Sequence, residues 1–161
     1  MELHDFRAEP SPEALAAELR RAVAERRISE AAETAVSLEK LYAFCTSEIG
    51  QRMRAAALAG KLHKEQNFVL SYPARELSEA YDSGEPVLVQ GIIDVFFEEE
   101  DGIVLLDYKT DRVSGGDGEE ILRRRYRAQL SYYADAIERG AGKPVKERLI
   151  YSFALQKCFD V

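Results

Sequence analysis

Cysteine and proline are scarce in this chain, with two and five copies in 161 residues. Cys45 and Cys158 stand apart from each other, with no CxxC spacing and no histidine at ligand distance in sequence. That excludes a disulfide framework and argues against a structural zinc motif, and it makes a reducing cytoplasm the expected setting. No apolar run exceeds about seven residues, far short of the roughly 20 that a membrane-spanning helix needs. The opening segment, MELHDFRAEPSP, lacks the basic stretch and apolar core of a secretory signal. Internal repeats and low-complexity tracts are also missing. Excess positive charge is absent too: the formal net charge is −7, which argues against binding nucleic acid mainly through a global positive field. A site that gathers divalent cations is not excluded, because such a site must concentrate carboxylates.

What remains is an ordinary globular composition, 46% hydrophobic and 32% charged, in a length suited to one domain with its own core. The charge is unevenly spread. EEED at 98–101 and DGEE at 117–120 are acidic, whereas LRRRYR at 122–127 carries four arginines.

Ser11, Pro12 and Glu13 form a helix start, with an N-cap, a proline at the first position and an acid in the first turn. Leu15, Leu19 and Val23 follow at four-residue spacing, so a helix is expected over 13–27. A second helical region is expected over 29–61, broken near Thr46 and Ser47. This helical third, residues 1–62, carries little chemistry and reads as packing scaffold. The pattern changes over 63–161. Strands are expected at 66–72, 87–97 and 103–109, the last two joined by a hairpin ending in Asp101-Gly102. A glycine-rich loop at 114–118 leads to a helix over 119–139, closed by Gly140 as a left-handed cap. One or two further strands, 147–155 and 157–161, complete a mixed α/β (α+β-like) domain with a mainly antiparallel sheet.

Two acids lie inside apolar strands, where acids are rare without a reason. Asp94 sits in GIIDVF and Asp107 in VLLDYK. Alternation along a strand puts Asp107 and Lys109 on one face. A two-residue turn at Asp101-Gly102 pairs Asp94 with Lys109, and a four-residue loop at 99–102 pairs it with Asp107. Either loop groups all three residues; an odd-length loop or a bulge does not. Two neighbouring carboxylates raise a pKa or recruit a cation, and oxygen ligands with open positions suit Mg²⁺. A lysine beside them can orient or deprotonate a water, or neutralise charge building on phosphate. The plainer alternative is a cross-strand salt bridge from Asp94 to Lys109 on a solvated face.

The segment VLVQGIIDVFFEEEDGIVLLDYKTD, with YRAQLSYYADAI at 126–137 and KERLIYSF at 146–153, resembles the PD-(D/E)XK nucleases. The likeness is to their RecB-type domain, as found at the carboxy-terminal end of AddA-type helicase–nuclease subunits. It covers nearly the whole chain and is densest from Glu65 to Phe153. The resemblance implies a restriction-endonuclease-like core and a Mg²⁺-dependent (Mn²⁺ possible) deoxyribonuclease of exonuclease type. Asp94, Asp107, the Tyr108 backbone carbonyl and Glu65 would be metal ligands, and Lys109 the catalytic lysine. Gln129 and Tyr133, four residues apart on one helical face, would contact DNA or support the site. Arg125, within an arginine cluster suited to phosphate contact or to a solvated helix face, is a further candidate. Implied partners are DNA, a helicase portion of the same polypeptide and an AddB-type subunit, in double-strand break repair.

One element departs from the family pattern. Its G-T-x-x-H segment, whose histidine reaches the metal, is missing, and MELHDF resembles the stretch just after it. Residues 1–161 are therefore expected to be one nuclease domain from a larger protein, with a site one ligand short. His4 is offset from that histidine; it and His63 are expected to be surface residues. Also absent are the cysteines that hold an iron–sulfur cluster in the partner protein, so no such cluster is expected. Two alternatives remain: a non-catalytic DNA-binding or docking module with an incomplete site, and a stand-alone RecB-like exonuclease.

Overall fold

A computed structural model describes residues 1–77, 80, 82–113 and 116–161; part of the glycine-rich loop expected at 114–118 lies outside them. Four helices come first: α1 (Pro12–Ala24), α2 (Glu30–Ala35), α3 (Leu38–Thr46) and α4 (Glu48–Leu58). Each begins at a serine, Ser11, Ser29, Ser37 or Ser47, whose hydroxyl accepts a first-turn amide. This satisfies a donor that the helix start would otherwise leave unpaired. The expected break at Thr46-Ser47 is the α3–α4 corner. A second break, at Val36 and Ser37, divides the region once more. Gly50 is required at the α3–α4 corner, because a Cβ there would lie 2.2 Å from the Phe44 carbonyl oxygen.

A five-stranded sheet follows in the order β1 (Leu62–Pro73), β2 (Pro86–Glu99), β3 (Gly102–Lys109), β4 (Val145–Ser152) and β5 (Lys157–Asp160). A short helix, α5 (Ala74–Leu77), separates β1 from β2, and the long α6 (Gly118–Ala141) separates β3 from β4. Three strand pairs are antiparallel, and β3 with β4 is parallel, as the crossover through α6 demands. The expected cap for α6 is corrected: the left-handed residue is Gly142, φ 65°, and the helix runs through Gly140.

Two apolar layers cover the sheet. On one face Phe44, Met53 and Ile49 from α3 and α4 pack against Val95, Phe97, Val104 and Leu106. On the other, Leu122, Leu130, Tyr133 and Ile137 of α6 pack against Ile93, Phe96, Ile103 and Leu105. Strand β3 is covered on both sides and buried from Gly102 to Asp107, which explains its nearly unbroken apolar sequence. Among the described residues no helix is long and apolar enough to cross a membrane.

Candidate active site

The site grows out of a fork in the sheet. β2 and β3 pair from Glu99↔Gly102 back to Val95↔Leu106, with Glu100 and Asp101 as the turn. This is the register in which Asp94 and Asp107 would be the next pair. The ladder stops there instead, and Asp94 Oδ2 accepts the Tyr108 backbone N–H at 3.0 Å. A side-chain carboxylate thus takes the place of a ladder carbonyl where the pairing ends. On its other side Asp94 faces an equal irregularity. Lys64↔Val95 and Gln66↔Ile93 are paired, whereas Glu65 between them is unpaired and has φ 51°. The alternation of β2 slips at this point, since Ile93 and Phe96, three residues apart, both belong to the α6-side core.

Asp107 lies at the buried end of β3 with only 1% of its surface exposed. Burial pushes its carboxyl up to about 6; Lys109 opposes that shift and Asp94 adds to it. Lys109 Nζ forms an ion pair with Asp107 Oδ2. The approach is off the directional hydrogen-bond geometry, however, so Oδ2 is a buried acceptor without an aligned donor. An ion pair of this kind leaves much of the desolvation cost of the carboxylate uncompensated. A second, hard cation would supply what is missing.

From Lys109 the contacts continue onto α6. Its Nζ lies 3.5 Å from Gln129 Oε1 and 4.0 Å from the centroid of the Tyr126 ring. Gln129 Nε2 donates to Tyr133 Oη at 2.6 Å. Tyr133 packs edge-on to Phe68 of β1, ring centroids 5.5 Å apart. Burial is the main cause that raises the Tyr133 hydroxyl pKa, and the charges of Asp107 and Asp94 add to it. Gln129 and Tyr133 therefore back onto the acidic pair, as their spacing on one helical face suggests.

The remaining candidates fall differently. Glu65 is exposed, and its pKa is raised by burial of its carboxyl, then by Glu2 and Asp94, so it shares the electrostatic neighbourhood of Asp94. Arg125 is tied down: its Nη1 donates to Asp111 Oδ1 at 2.6 Å. Arg123 is likewise held by Glu119 and stacked on Phe159. Arg124 and Arg127 are exposed and without a partner among the described residues. His4 is not the surface residue expected. Its side chain is 11% exposed, bonded to Glu18 at 2.6 Å and packed on Phe6 and Cys45. His63, near the start of β1 and two residues from Glu65, stacks on Phe96. Neither Tyr126 nor Asp111 was assigned a role from the sequence; the Tyr126 ring lies against Lys109 Nζ, and Asp111 holds the Tyr126 hydroxyl. The available signal was the spacing of Tyr126, Gln129 and Tyr133, three and four residues apart.

Among the described residues no three His, Cys, Asp or Glu side chains are gathered tightly enough to hold an ion alone. Mg²⁺ does not require that, since it commonly takes one or two carboxylates and completes its shell with water and substrate phosphate. Asp94, Asp107 and neighbouring backbone fit that pattern.

A profile of the PD-(D/E)XK nuclease superfamily matches residues 2–157. The chain belongs to this superfamily. The mixed, helix-flanked sheet is consistent with its restriction-endonuclease-like fold. The PD-(D/E)XK chain is similar to the A subunit of the ATP-dependent helicase/nuclease of Lachnoclostridium phytofermentans, 40% identical over 81% of this chain and 12% of that protein. It is also similar to the proteins of that name from Clostridium perfringens strain SM101, 42% identical over 76% and 10%, and from Clostridium botulinum strain Langeland, 36% identical over 98% and 12%. It therefore spans about an eighth or less of the length of these relatives.

Proposed function

We propose that this chain is a metal-dependent DNA nuclease domain that hydrolyses phosphodiester bonds. The observation that carries the reading is Asp107: a buried carboxylate between Asp94 and Lys109 with one oxygen lacking an aligned donor. Asp94, Asp107 and the Tyr108 backbone carbonyl would hold Mg²⁺ or Mn²⁺, with Glu65 on the open side. When bound, the ion supplies Lewis acidity toward water and phosphate. The residues of the chain do the rest. Lys109 places a positive charge where charge develops on the phosphate and holds the attacking water in line. Gln129 and Tyr133 fix the lysine from behind, and the exposed Arg124 and Arg127 suit phosphate contact.

The likeness to helicase/nuclease subunits supports a wider reading. Residues 1–161 form one nuclease domain, with a helical part over 1–62 and a catalytic core over 63–161. The domain belongs to a longer cytoplasmic polypeptide whose helicase portion feeds it DNA during double-strand break repair, with exonuclease polarity and beside an AddB-type partner. A non-catalytic docking module is the second reading, favoured by the lack of a third converging side-chain ligand among the described residues.

The test is cleavage of labelled single-stranded DNA with Mg²⁺ by the full-length polypeptide, beside Asp107→Ala and Lys109→Ala. Each variant should lose roughly 100-fold or more, because it removes interactions made in the transition state. Equal cutting by all three proteins, or by none, rules the nuclease reading out.

A further inference from the structure

Lys109 is held by more than the acid beside it. Its Nζ lies over the face of Tyr126, 4.0 Å from the ring centroid, within the range at which an ammonium is attracted to the negative face of an aromatic ring. The ring is itself fixed. The Tyr126 hydroxyl is 2.9 Å from both Oδ1 and Oδ2 of Asp111, and Asp111 Oδ1 also accepts from Arg125 Nη1 at 2.6 Å. Burial raises the Tyr126 hydroxyl pKa and the Asp111 bond raises it further, so the hydroxyl remains a donor. Asp111 stands two residues beyond Lys109 in chain order, where β3 has ended, and Tyr126 is on α6. The contact therefore joins the two elements that must stay in register for Lys109 to point at the fork.

A tyrosine that only filled the core would need neither a carboxylate on its hydroxyl nor a cation on its face. Lysine is long, and without restraint its ammonium samples many positions. Here it is bounded on three sides, by Asp107, by Gln129 Oε1 and by the Tyr126 ring, with 13% of the side chain exposed.

We propose that Tyr126, locked by Asp111, is a positioning residue that holds the Lys109 ammonium at the fork between Asp94 and Asp107. This rests on the nuclease reading for its purpose, but the packing it invokes is measurable without metal or DNA. An aromatic face above an ammonium shifts the adjacent methylene protons upfield. In the metal-free full chain, the Lys109 ε-methylene should be upfield-shifted in wild type and Tyr126→Phe, and should move to its ordinary position in Tyr126→Leu.

In cleavage assays with Mg²⁺, Tyr126→Leu should lower kcat roughly 10- to 100-fold, the scale of an ångström-sized misplacement of a reacting group. KM for DNA should stay within about twofold, and Tyr126→Phe should recover most of the rate. Asp111→Asn should fall between wild type and Tyr126→Leu. A wild-type chain that cuts DNA without a shifted methylene overturns the proposal alone. So does a Tyr126→Leu variant with unchanged kcat, or a Tyr126→Phe variant as slow as Tyr126→Leu. A wild-type chain that shows the shifted methylene but cuts nothing overturns the nuclease reading, and with it the catalytic purpose of the contact.

Discussion

The Asp94 carboxylate accepts the Tyr108 backbone N–H at 3.0 Å, at the point where β2 and β3 cease to pair. One side chain thereby performs two tasks, satisfying a strand amide and holding a negative charge at the mouth of the fork. The tasks can be separated by substitution. Asparagine keeps an acceptor oxygen and loses the charge, whereas alanine loses both. Asp94→Asn should melt close to wild type; Asp94→Ala should be less stable by about 1–3 kcal/mol, the cost of a part-buried amide left unpaired. Both should lose cleavage. Thermal melts that rank the two variants the other way would show that the bond is not structural.

Asp107 should trade stability against function. Its carboxylate is buried with one oxygen poorly satisfied, so neutralising it relieves a desolvation cost at a site built for charge. Asp107→Asn is expected to melt at or above the wild-type temperature in EDTA. Millimolar Mg²⁺ should then raise the melting temperature of wild type by mass action and leave the variant unmoved. Equal stabilisation of both by Mg²⁺ would place the cation elsewhere.

The opposite end of the β2–β3 hairpin governs acid stability. Arg52 bonds Glu99 at 2.9 Å and Glu147 at 2.7 Å, and Lys146 reaches Glu99 at 2.6 Å. The hydrogen bond from Arg52, ahead of that from Lys146, holds the Glu99 carboxyl down to about 2, against burial. A depressed folded-state pKa gives stability that is complete above the unfolded value near 4.5 and is lost as pH falls toward 2. Because Glu99 is about a quarter exposed, screening reduces the loss to roughly 1–2 kcal/mol. Urea melts from about pH 6 to 2.5 should show this slope, and Glu99→Gln should flatten it.

Gly91 opens the G-I-I-D run for a steric reason. A Cβ there would lie 2.9 Å from Phe68 Cε1, and Phe68 packs on Tyr133. Gly91→Ala must displace that ring, at a cost of roughly 1–3 kcal/mol for overpacking. The displacement passes to Tyr133 and so to Gln129 and Lys109, so cleavage should fall more than stability explains. A variant with wild-type melting and wild-type rate would show that the ring moves freely.

Much of the fold was legible because its signals are local. The Ser11 cap marked the start of α1, the break near Thr46-Ser47 marked the α3–α4 corner, and the apolar run around Asp107 marked a strand. Even the hairpin register was within reach, since one of the two even loops weighed from the sequence gives the register observed from Glu99↔Gly102 to Val95↔Leu106. The helix-cap error at Gly140 is of the same local kind: Gly140 and Gly142 lie within three residues, and only the packing of α6 decides which one leaves the helix.

By itself, then, the sequence determined the order of the strands and of the main helical regions, though not the α2–α3 break or the short α5, together with the family resemblance and the acids worth watching, because periodicity, capping and strand alternation act over a few residues. Tertiary structure alone decided that the β2–β3 ladder opens at Asp94, that Glu65 faces this point with φ 51°, and that Lys109 lies between Asp107, Gln129 and the face of Tyr126. Those relationships join β1, β2, β3 and α6 across long separations in sequence. They depend on where α6 comes to rest on the sheet, a choice made by two-sided burial of β3 that no local pattern encodes.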